Sequence, residues 1–225
     1  MAAPLTFVIP VLNEAPGIAA LLEQLARDYP AAERIVVDGG SDDDTLRLAT
    51  GLADRVLGSE AGRARQMNGG AAAASGEYLF FLHADTRPTL AQAQLLQALA
   101  REPAWGFSPV RLSGAAPAFR IIEWFINRRS ALTGVGTGDQ MIFVRREAFN
   151  AIGGFDDIPL MEDVALCKRL RRHARPQLLA EPVVTSSRRW EQDGVVRTVL
   201  LMWRLRLAYF LGASPQRLWR QYHGR

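Results

Sequence analysis

The sequence predicts an α/β protein built on a mostly parallel sheet with helices on both faces, and three observations lead there. Short apolar runs alternate with helical patterns through the first half, and parallel strands need such crossovers to be joined. The run Tyr78 to Leu82, "YLFFL", is bulky and β-favouring at every position, as a strand buried within a sheet is. Polar and acidic residues stand where the apolar runs stop, and sheets of this kind bind ligands outside the carboxyl ends of their strands.

The elements follow in order. "LTFVIPVL" is the first strand. Pro16 then falls in a first helical turn, where its missing N–H does no harm, and Ile18, Leu21, Leu22, Leu25 and Tyr29 recur at helical spacing. "RIVVDGG" is the second strand, and Thr45, Leu46, Leu48, Ala49 and Leu52 begin a second helix. "RVLG" is a third, short strand. An Ala-rich helix follows from about Gly62 to Ala74, and Gly76 is expected to close it before the fourth strand, "EYLFFL". In the second half, Ala118 to Leu132 is apolar nearly all round, which predicts a lid or an interface helix. Glu162 and Asp163 open a further helix whose buried side carries Val164, Leu166, Cys167 and Leu170. No internal repeat or low-complexity linker interrupts the chain.

Composition narrows the function classes. With 225 residues, 48% hydrophobic and 22% charged, the chain suits one folded domain with a substantial core. The start, "MAAPLTFVIPVLNE", has no basic n-region, and Pro10 and Asn13-Glu14 break its apolar run, so a cytoplasmic protein is expected. The single cysteine, Cys167, excludes an intrachain disulfide and a cysteine-rich zinc site.

Basic charge gathers late. From Arg188 to Arg225 eight arginines face only Glu191 and Asp193, with Trp190, Trp203, Tyr209, Phe210, Trp219 and Tyr222 interleaved. Such a tail suits anionic lipid, nucleic acid or an acidic partner; equally, it suits a helix packed on its own domain with solvated arginines. Arg197, Arg204 and Arg206 make Gly194 to Leu211 costly as a membrane span, so an interfacial, dimer or domain helix is expected.

The strand ends supply the candidate chemistry: Asn13 and Glu14, Asp38 to Asp44, and His83 with Asp85. Asp85 could anchor Mg2+ or Mn2+, with waters and phosphates in the other positions; as a structural alternative it is a turn or cap residue. In "VVDGGSDDDT" the glycines allow close approach and Ser41 to Asp44 can cap the next helix. That turn does not require Asp38, whose carboxylate could pair with a base N–H or a ribose hydroxyl. Arg63 and Arg65 in "GRARQMNGG" flank a helix start, where a diphosphate finds guanidinium donors and open amides; an exposed basic helix face is the alternative. Glu162 and Asp163 have a macrodipole explanation too. Cys167 and Met161 are read as packing, and His173 and His223 as surface residues.

Taken together, "VIPVLNE", "IVVDGGSDDDT", "ARQMNGGAAAASGEYLFFLHADT", "GTGDQMIFVRREAFNAIGGFDD" and "MEDVALCKRL" resemble family 2 glycosyltransferases, in the same order from about Leu5 to Trp190. The resemblance implies a GT-A fold over residues 1–190, followed by a basic helical tail, 191–225. It implies transfer of one sugar from a nucleotide diphosphate, with inversion and assistance from Mn2+ or Mg2+. Pro10, Leu12, Asn13, Glu14 and Asp38 would contact the nucleoside, and Arg63 or Arg65 the diphosphate, with Asn68 completing this set. Asp85 matches the final, metal-binding aspartate of the DXD motif, and His83 stands in its first acidic position. Asp163 matches the "ED" general base, with Glu162 as the fallback. The processive Gln-X-X-Arg-Trp motif is absent; "SSRRWEQDG" offers Arg189 as a leaving-group contact and implies a non-processive enzyme.

UDP is the expected nucleotide, since the nucleoside contacts resemble those of UDP-using relatives. The His-Ala-Asp form is similar to a subgroup of small bacterial family 2 proteins, some acting on lipid-like or carotenoid acceptors, which implies an apolar acceptor. Peripheral contact with the anionic inner face of the plasma membrane, a homodimer and no nucleic acid partner complete the expectation. Two alternatives stand beside it: a non-catalytic nucleotide-sugar or membrane-surface binding protein, and a nucleotidyltransferase. The latter would carry a Gly-rich basic signature after the first strand, and "PVLNEAPG" has none.

Overall fold

The computed structural model describes residues 5–223, so expectations resting on residues 1–4 and on Gly224 and Arg225 of the tail lie outside the described residues. The chain opens with β1 (Leu5–Val11), α1 (Ala15–Asp28), β2 (Glu33–Asp38), α2 (Thr45–Ala49), β3 (Arg55–Gly58), α3 (Arg63–Ala73) and β4 (Tyr78–Phe81). It continues through β5 (Thr86–Arg87), α4 (Gln92–Leu99), β6 (Trp105–Phe107), β7 (Val110–Leu112), α5 (Pro117–Thr133), β8 (Ile142–Arg145) and α6 (Arg146–Ala151). It closes with α7 (Glu162–Leu170), β9 (Gln177–Leu178), β10 (Val183–Thr185), α8 (Arg188–Asp193), α9 (Val195–Phe210) and α10 (Pro215–His223).

The central sheet has the order β3-β2-β1-β4-β8-β6-β9, and only β8 runs antiparallel to its neighbours. The parallel half, β3-β2-β1-β4, is the part that the alternation of strands and helices predicts. The antiparallel insertion of β8 and a small second sheet, β5-β10-β7, have no such signal. Side-chain alternation along β1 divides the core: Phe7 and Ile9 face Ile18, Leu21 and Leu22 of α1, while Val8 faces Ala64, Met67 and Ala71 of α3.

Close packing requires glycine at two positions in and just after α3. A Cβ on Gly70 would meet the Val8 side chain at 2.4 Å, so α3 can lie this close to the sheet only without one. Gly76 corrects an expectation. The helix α3 ends at Ala73 with Ala74 as its extended cap, so Gly76 does not close it. A Cβ there would come within 2.6 Å of Thr6 Oγ1 and 2.8 Å of the Leu5 carbonyl carbon, so Gly76 serves the approach of β4 to β1.

The C-terminal helices join the α3 side of the core. Leu201, Leu205 and Leu218 are buried in the same apolar cluster as Phe81 and Trp105. The opposite face of α9 is apolar as well: Val196, Leu200, Trp203, Leu207 and Phe210 follow one another at helical spacing and are exposed. Beside it, α5 buries Phe119 and Ile122 near Val195 and Val199 of α9, and exposes Ile121, Trp124, Phe125 and Leu132. Among the described residues, no helix is long and apolar enough to cross a membrane.

Candidate active site

The register aligns the strand ends. Val11 pairs with Asp38 across β1 and β2, so the segments that leave them lie side by side. Gln66 on α3 holds both ends, its amide N–H2 donating to the carbonyls of Val11 and Val37 at 2.8 Å each. The two segments are then cross-linked. The Asn13 N–H donates to Ser41 Oγ at 2.9 Å, and the Asp42 N–H donates to Asn13 Oδ1 at 3.0 Å. Glu14 N–H reaches Thr45 Oγ1 at 2.8 Å. Asn13 sits at φ 57°, a left-handed conformation that Asn tolerates better than most residues.

Asp38 requires a correction. The turn after β2 uses its buried carboxylate, which accepts from the N–H groups of Gly40, at 3.0 Å, and Ser41, at 3.1 Å, and from the Ser41 hydroxyl. The turn therefore depends on Asp38. Pro10 is buried within β1, whereas Leu12 is exposed just beyond it.

A second set of residues converges from β4, from the turn Gly138–Gln140 and from the start of α7. His83 follows β4, with Nδ1 3.3 Å from Asp139 Oδ1. Asp163 Oδ2 accepts the N–H of Gly138 at 2.9 Å. One turn thus pins both the imidazole and the carboxylate, and Gly138 allows it: a Cβ there would stand 2.4 Å from the His83 ring. Gln140, fully buried, anchors the turn from behind, accepting from Ser130 Oγ at 2.8 Å.

The electrostatics tie the two sets together. Burial pushes the Glu14 carboxyl up, Asp85 pushes the same way, and Arg188, His83 and Arg63 oppose them. Glu162 is pushed up by burial first and by Asp163 second, with Arg63 working against both. Burial would also raise Asp139, but the His83 hydrogen bond, with Arg63 and Arg189, brings it below its ordinary value. Burial opposes the charge on Arg63, yet Glu162 and Asp139 outweigh it and raise the guanidinium. Arg63 and Asp139 are exposed, so these charges meet where the ligand-side strand ends and the Gly138–Gln140 turn reach solvent.

The other expected residues have partners of their own. Arg65 is engaged by Asp157, at 2.9 Å, and by Glu60, so Arg63 is the arginine that faces the acidic groups. Asn68 exchanges two 2.9 Å hydrogen bonds with the backbone of Phe155. The Asp85 carbonyl accepts the Ser186 N–H at 3.1 Å, which brings α8 alongside, and Arg188 lies 3.9 Å from Glu14. Arg189 stacks on the Tyr222 ring, 4.0 Å from its centroid, and also donates to the Tyr222 hydroxyl. Cys167 is buried and its thiol is pushed up by burial, in keeping with packing; His173 and His223 are exposed.

Sequence reasoning missed Asp139 and Tyr222. Asp139 had a signal, an acid in the polar stretch "GTGDQ"; Tyr222 had none, because only the fold of α10 brings it to Arg189.

No cluster of three or more His, Cys, Asp or Glu side chains forms a metal cage among the described residues. The donors present fit a different arrangement. Asp85 offers carboxylate oxygen at a strand end, with Glu14 near enough to feel its charge, and Mg2+ or Mn2+ accepts few protein ligands when phosphates and waters fill the rest.

Comparison with known proteins places this geometry in context. The model of the family described as "Glycosyl transferase family 2" matches residues 6–151. The PGL/p-HBAD biosynthesis glycosyltransferase of Mycobacterium tuberculosis (strain ATCC 25177 / H37Ra) is 38% identical over 94 residues, 38% of this chain and 37% of that protein. S. aureus TarS 1-349, solved in complex with UDP, superposes with a TM-score of 0.63 at 17% identity, over 81% of this chain and 60% of that one. The mannosyltransferase PcManGT from Pyrobaculum calidifontis, solved with GDP-Man and Mn2+, gives 0.62 at 22% identity, over 92% of this chain and 61% of that one. The match thus spans less than two thirds of each of these proteins, and the structural likenesses carry the GT-A fold.

Proposed function

The chain belongs to glycosyl transferase family 2, and from that premise we propose that it moves one sugar from a nucleotide diphosphate, with UDP as the expected nucleotide, to an acceptor hydroxyl with inversion. The observation that carries this reading is the meeting of two sets of groups within reach of one another's charge: Glu14, Asp85 and Arg63 on one side, Asp163 and the turn that pins it on the other. Asp163 removes the proton of the acceptor hydroxyl as its oxygen attacks the anomeric carbon, and the bond to the diphosphate oxygen breaks on the opposite face. The N–H groups of Gly138 and Val164 each donate to one of its oxygens, which orients the carboxylate and leaves lone pairs for the proton. Glu162, buried and pushed up, is the less suitable base.

Arg63 meets the charge of the departing diphosphate, with Arg189 supporting it from its seat on Tyr222. Asp85 would hold Mg2+ or Mn2+, which when bound supplies further charge neutralisation at the diphosphate. His83, held by Asp139, takes the place of the first DXD carboxylate. Asn13 and Asp38 frame the nucleoside site from a turn already locked by its own hydrogen bonds.

On this reading residues 1–190 form the transferase unit and 191–225 its tail, which as far as His223 folds back on it. The exposed apolar faces of α5 and α9, with Arg128, Arg197 and Arg204 exposed nearby, support an apolar acceptor and peripheral contact with an anionic membrane surface on the cytoplasmic side.

Calorimetric titration of UDP, GDP and CDP, with and without Mn2+, tests the donor site. Metal-dependent binding of one nucleotide, lost in Asp85→Ala, is the expected result. Failure of the folded protein to bind any nucleotide would overturn this reading in favour of a non-catalytic role.

A further inference from the structure

Between α5, α7 and α9 lies a pocket of about 170 Å3 that the donor site does not use. Its lining is mostly apolar, with Val135, Met161, Val164 and Phe210, yet Arg129 and Arg206 both enter it. Their positions follow from helix geometry. Arg129 lies one turn before the exposed end of α5, and Arg206 lies between the buried Leu205 and the exposed Leu207 on α9, so each stem runs along the seam where the two helices meet.

These two partly buried cations lack a carboxylate partner among the described residues. Among the described residues no carboxylate oxygen lies within 4.0 Å of either guanidinium. Arg129 donates to Ser130 Oγ at 3.1 Å, and its buried Nε has no acceptor. Burial, and then the charge of Arg206, pulls the Arg129 guanidinium down to about 10. Burial likewise lowers Arg206, with Asp163 opposing. Lys168 adds a third cation at the edge, its Nζ 4.7 Å from the centre of the Tyr209 ring. Two adjacent guanidiniums with unfilled donors form a fork for an oxyanion.

The position of the pocket links it to the reaction. Met161 and Val164 line it and flank Glu162 and Asp163 in sequence, and Asp163 acts on both arginines. At its other side Phe210 belongs both to the pocket and to the exposed apolar stripe of α9. A base, an anion fork and an apolar path therefore lie in succession.

We propose that this pocket is the acceptor subsite and that it takes an acidic amphiphile, with a phosphate-type oxyanion between Arg129 and Arg206 and an apolar body along Phe210 and the outer face of α9. The assignment rests on the reading of Asp163 as the base, and it specifies the acceptor class that this reading leaves open.

The test titrates the full chain with three probes: octyl phosphate below its micellar concentration, uncharged 1,2-octanediol, and inorganic phosphate. Octyl phosphate should bind at least about tenfold more tightly than either control, and Arg129→Gln and Arg206→Gln should each weaken it by about tenfold or more, as loss of charged hydrogen bonds does. Arg206→Gln removes an unpaired, partly buried charge, so it should melt no lower than the parent, which separates loss of binding from loss of fold. Equal binding of the diol would overturn the anion fork. Equal binding of inorganic phosphate would overturn the amphiphile, and unchanged affinity in both variants would overturn the subsite. Nucleotide titration of the same samples reads the donor site separately: its failure in the parent protein would strike the transferase reading and leave the probe result standing.

Discussion

In the turn after β2 the buried carboxylate of Asp38 accepts from Gly40 and Ser41, and the neighbouring segment after β1 is tied to it through Asn13 and Ser41. In the pocket between α5 and α9, two guanidiniums share a largely apolar cavity, and of the two only Arg129 has a hydroxyl acceptor, Ser130, among the described residues. The first region completes its polar groups internally, so its shape exists before any ligand arrives. The second leaves charges unanswered, so a ligand finishes it. That difference fits a donor site built for one constant moiety beside an acceptor site whose specificity lies in what it lacks.

The strongest break of this comparison is at the carboxylate between the two regions. Asp163→Asn keeps one oxygen to accept the Gly138 N–H and turns its NH2 towards the Val164 N–H that the other oxygen accepts, so the fold and nucleotide binding should survive at a cost of about 1 kcal/mol in stability. Sugar transfer should fall by roughly 10^2 to 10^4-fold, the range for loss of a general base. Retention of transfer within a few fold, measured by release of nucleotide diphosphate, would move the base to another group.

Gly138→Ala comes next. Its Cβ would stand 2.4 Å from the His83 ring, so either the imidazole or the turn must shift, and the shift disturbs the N–H that orients Asp163. Transfer should drop by about 10^2-fold, the scale of a misplacement near 1 Å. A parallel His83→Ala, Gly138→Ala pair sharpens the result: with the ring removed, part of the loss should return.

The parallel half of the fold and the strand-end residues were legible in the sequence because they obey local rules. Apolar runs of strand length, helical periodicity and polar residues at strand ends each act within a few positions, and β1 to β4 follow them. The insertion of antiparallel β8 between β4 and β6 was not legible, since strand order is decided by long-range packing. Gly76 was misread for the same reason: a glycine after a helix resembles a cap, while its actual constraint is the backbone of Leu5 and Thr6, far away in sequence. For the site, the motifs point to Asp85 and Asp163. The pairing of His83 with Asp139, the stacking of Arg189 on Tyr222 and the meeting of Arg129 with Arg206 appear only when distant parts of the chain are packed.

Asp38→Ala tests the internally completed region. It leaves the Gly40 and Ser41 N–H groups without their acceptor, and unfolding in urea should show a loss of about 1–3 kcal/mol, the cost of unsatisfied partly buried donors. If stability is unchanged and only nucleotide binding suffers, the carboxylate acts on the ligand alone and the contrast between the two regions weakens.

Glu162→Gln should act in the opposite direction and more gently. The folded carboxyl sits above its ordinary value of 4.5, because burial and Asp163 penalise the charged form. A raised carboxyl binds its proton more tightly in the folded state, so its contribution is favourable at low pH and is lost as pH rises through the folded value. At neutral pH the ionised group therefore costs stability. The Gln variant should melt slightly higher than the parent at pH 7, and the difference should close as pH falls towards 4.5. A variant that melts lower at pH 7 would mean that Arg63 compensates the charge fully.

Trp203→Ser should have the smallest effect on stability. Its ring is 65% exposed on the outer face of α9, opposite the Leu201 and Leu205 side that packs into the core. Substitution of an exposed side chain outside any network should change the folding free energy by no more than about 0.5 kcal/mol. Binding to anionic vesicles at low salt should nonetheless weaken, because an interfacial helix is held by its apolar area and by its basic residues together. A large, concentration-dependent loss of stability would give the opposite answer, that a second copy covers this face. The stripe would then be a dimer seam, and the apolar path leading from Phe210 to the Arg129–Arg206 fork would have to open elsewhere.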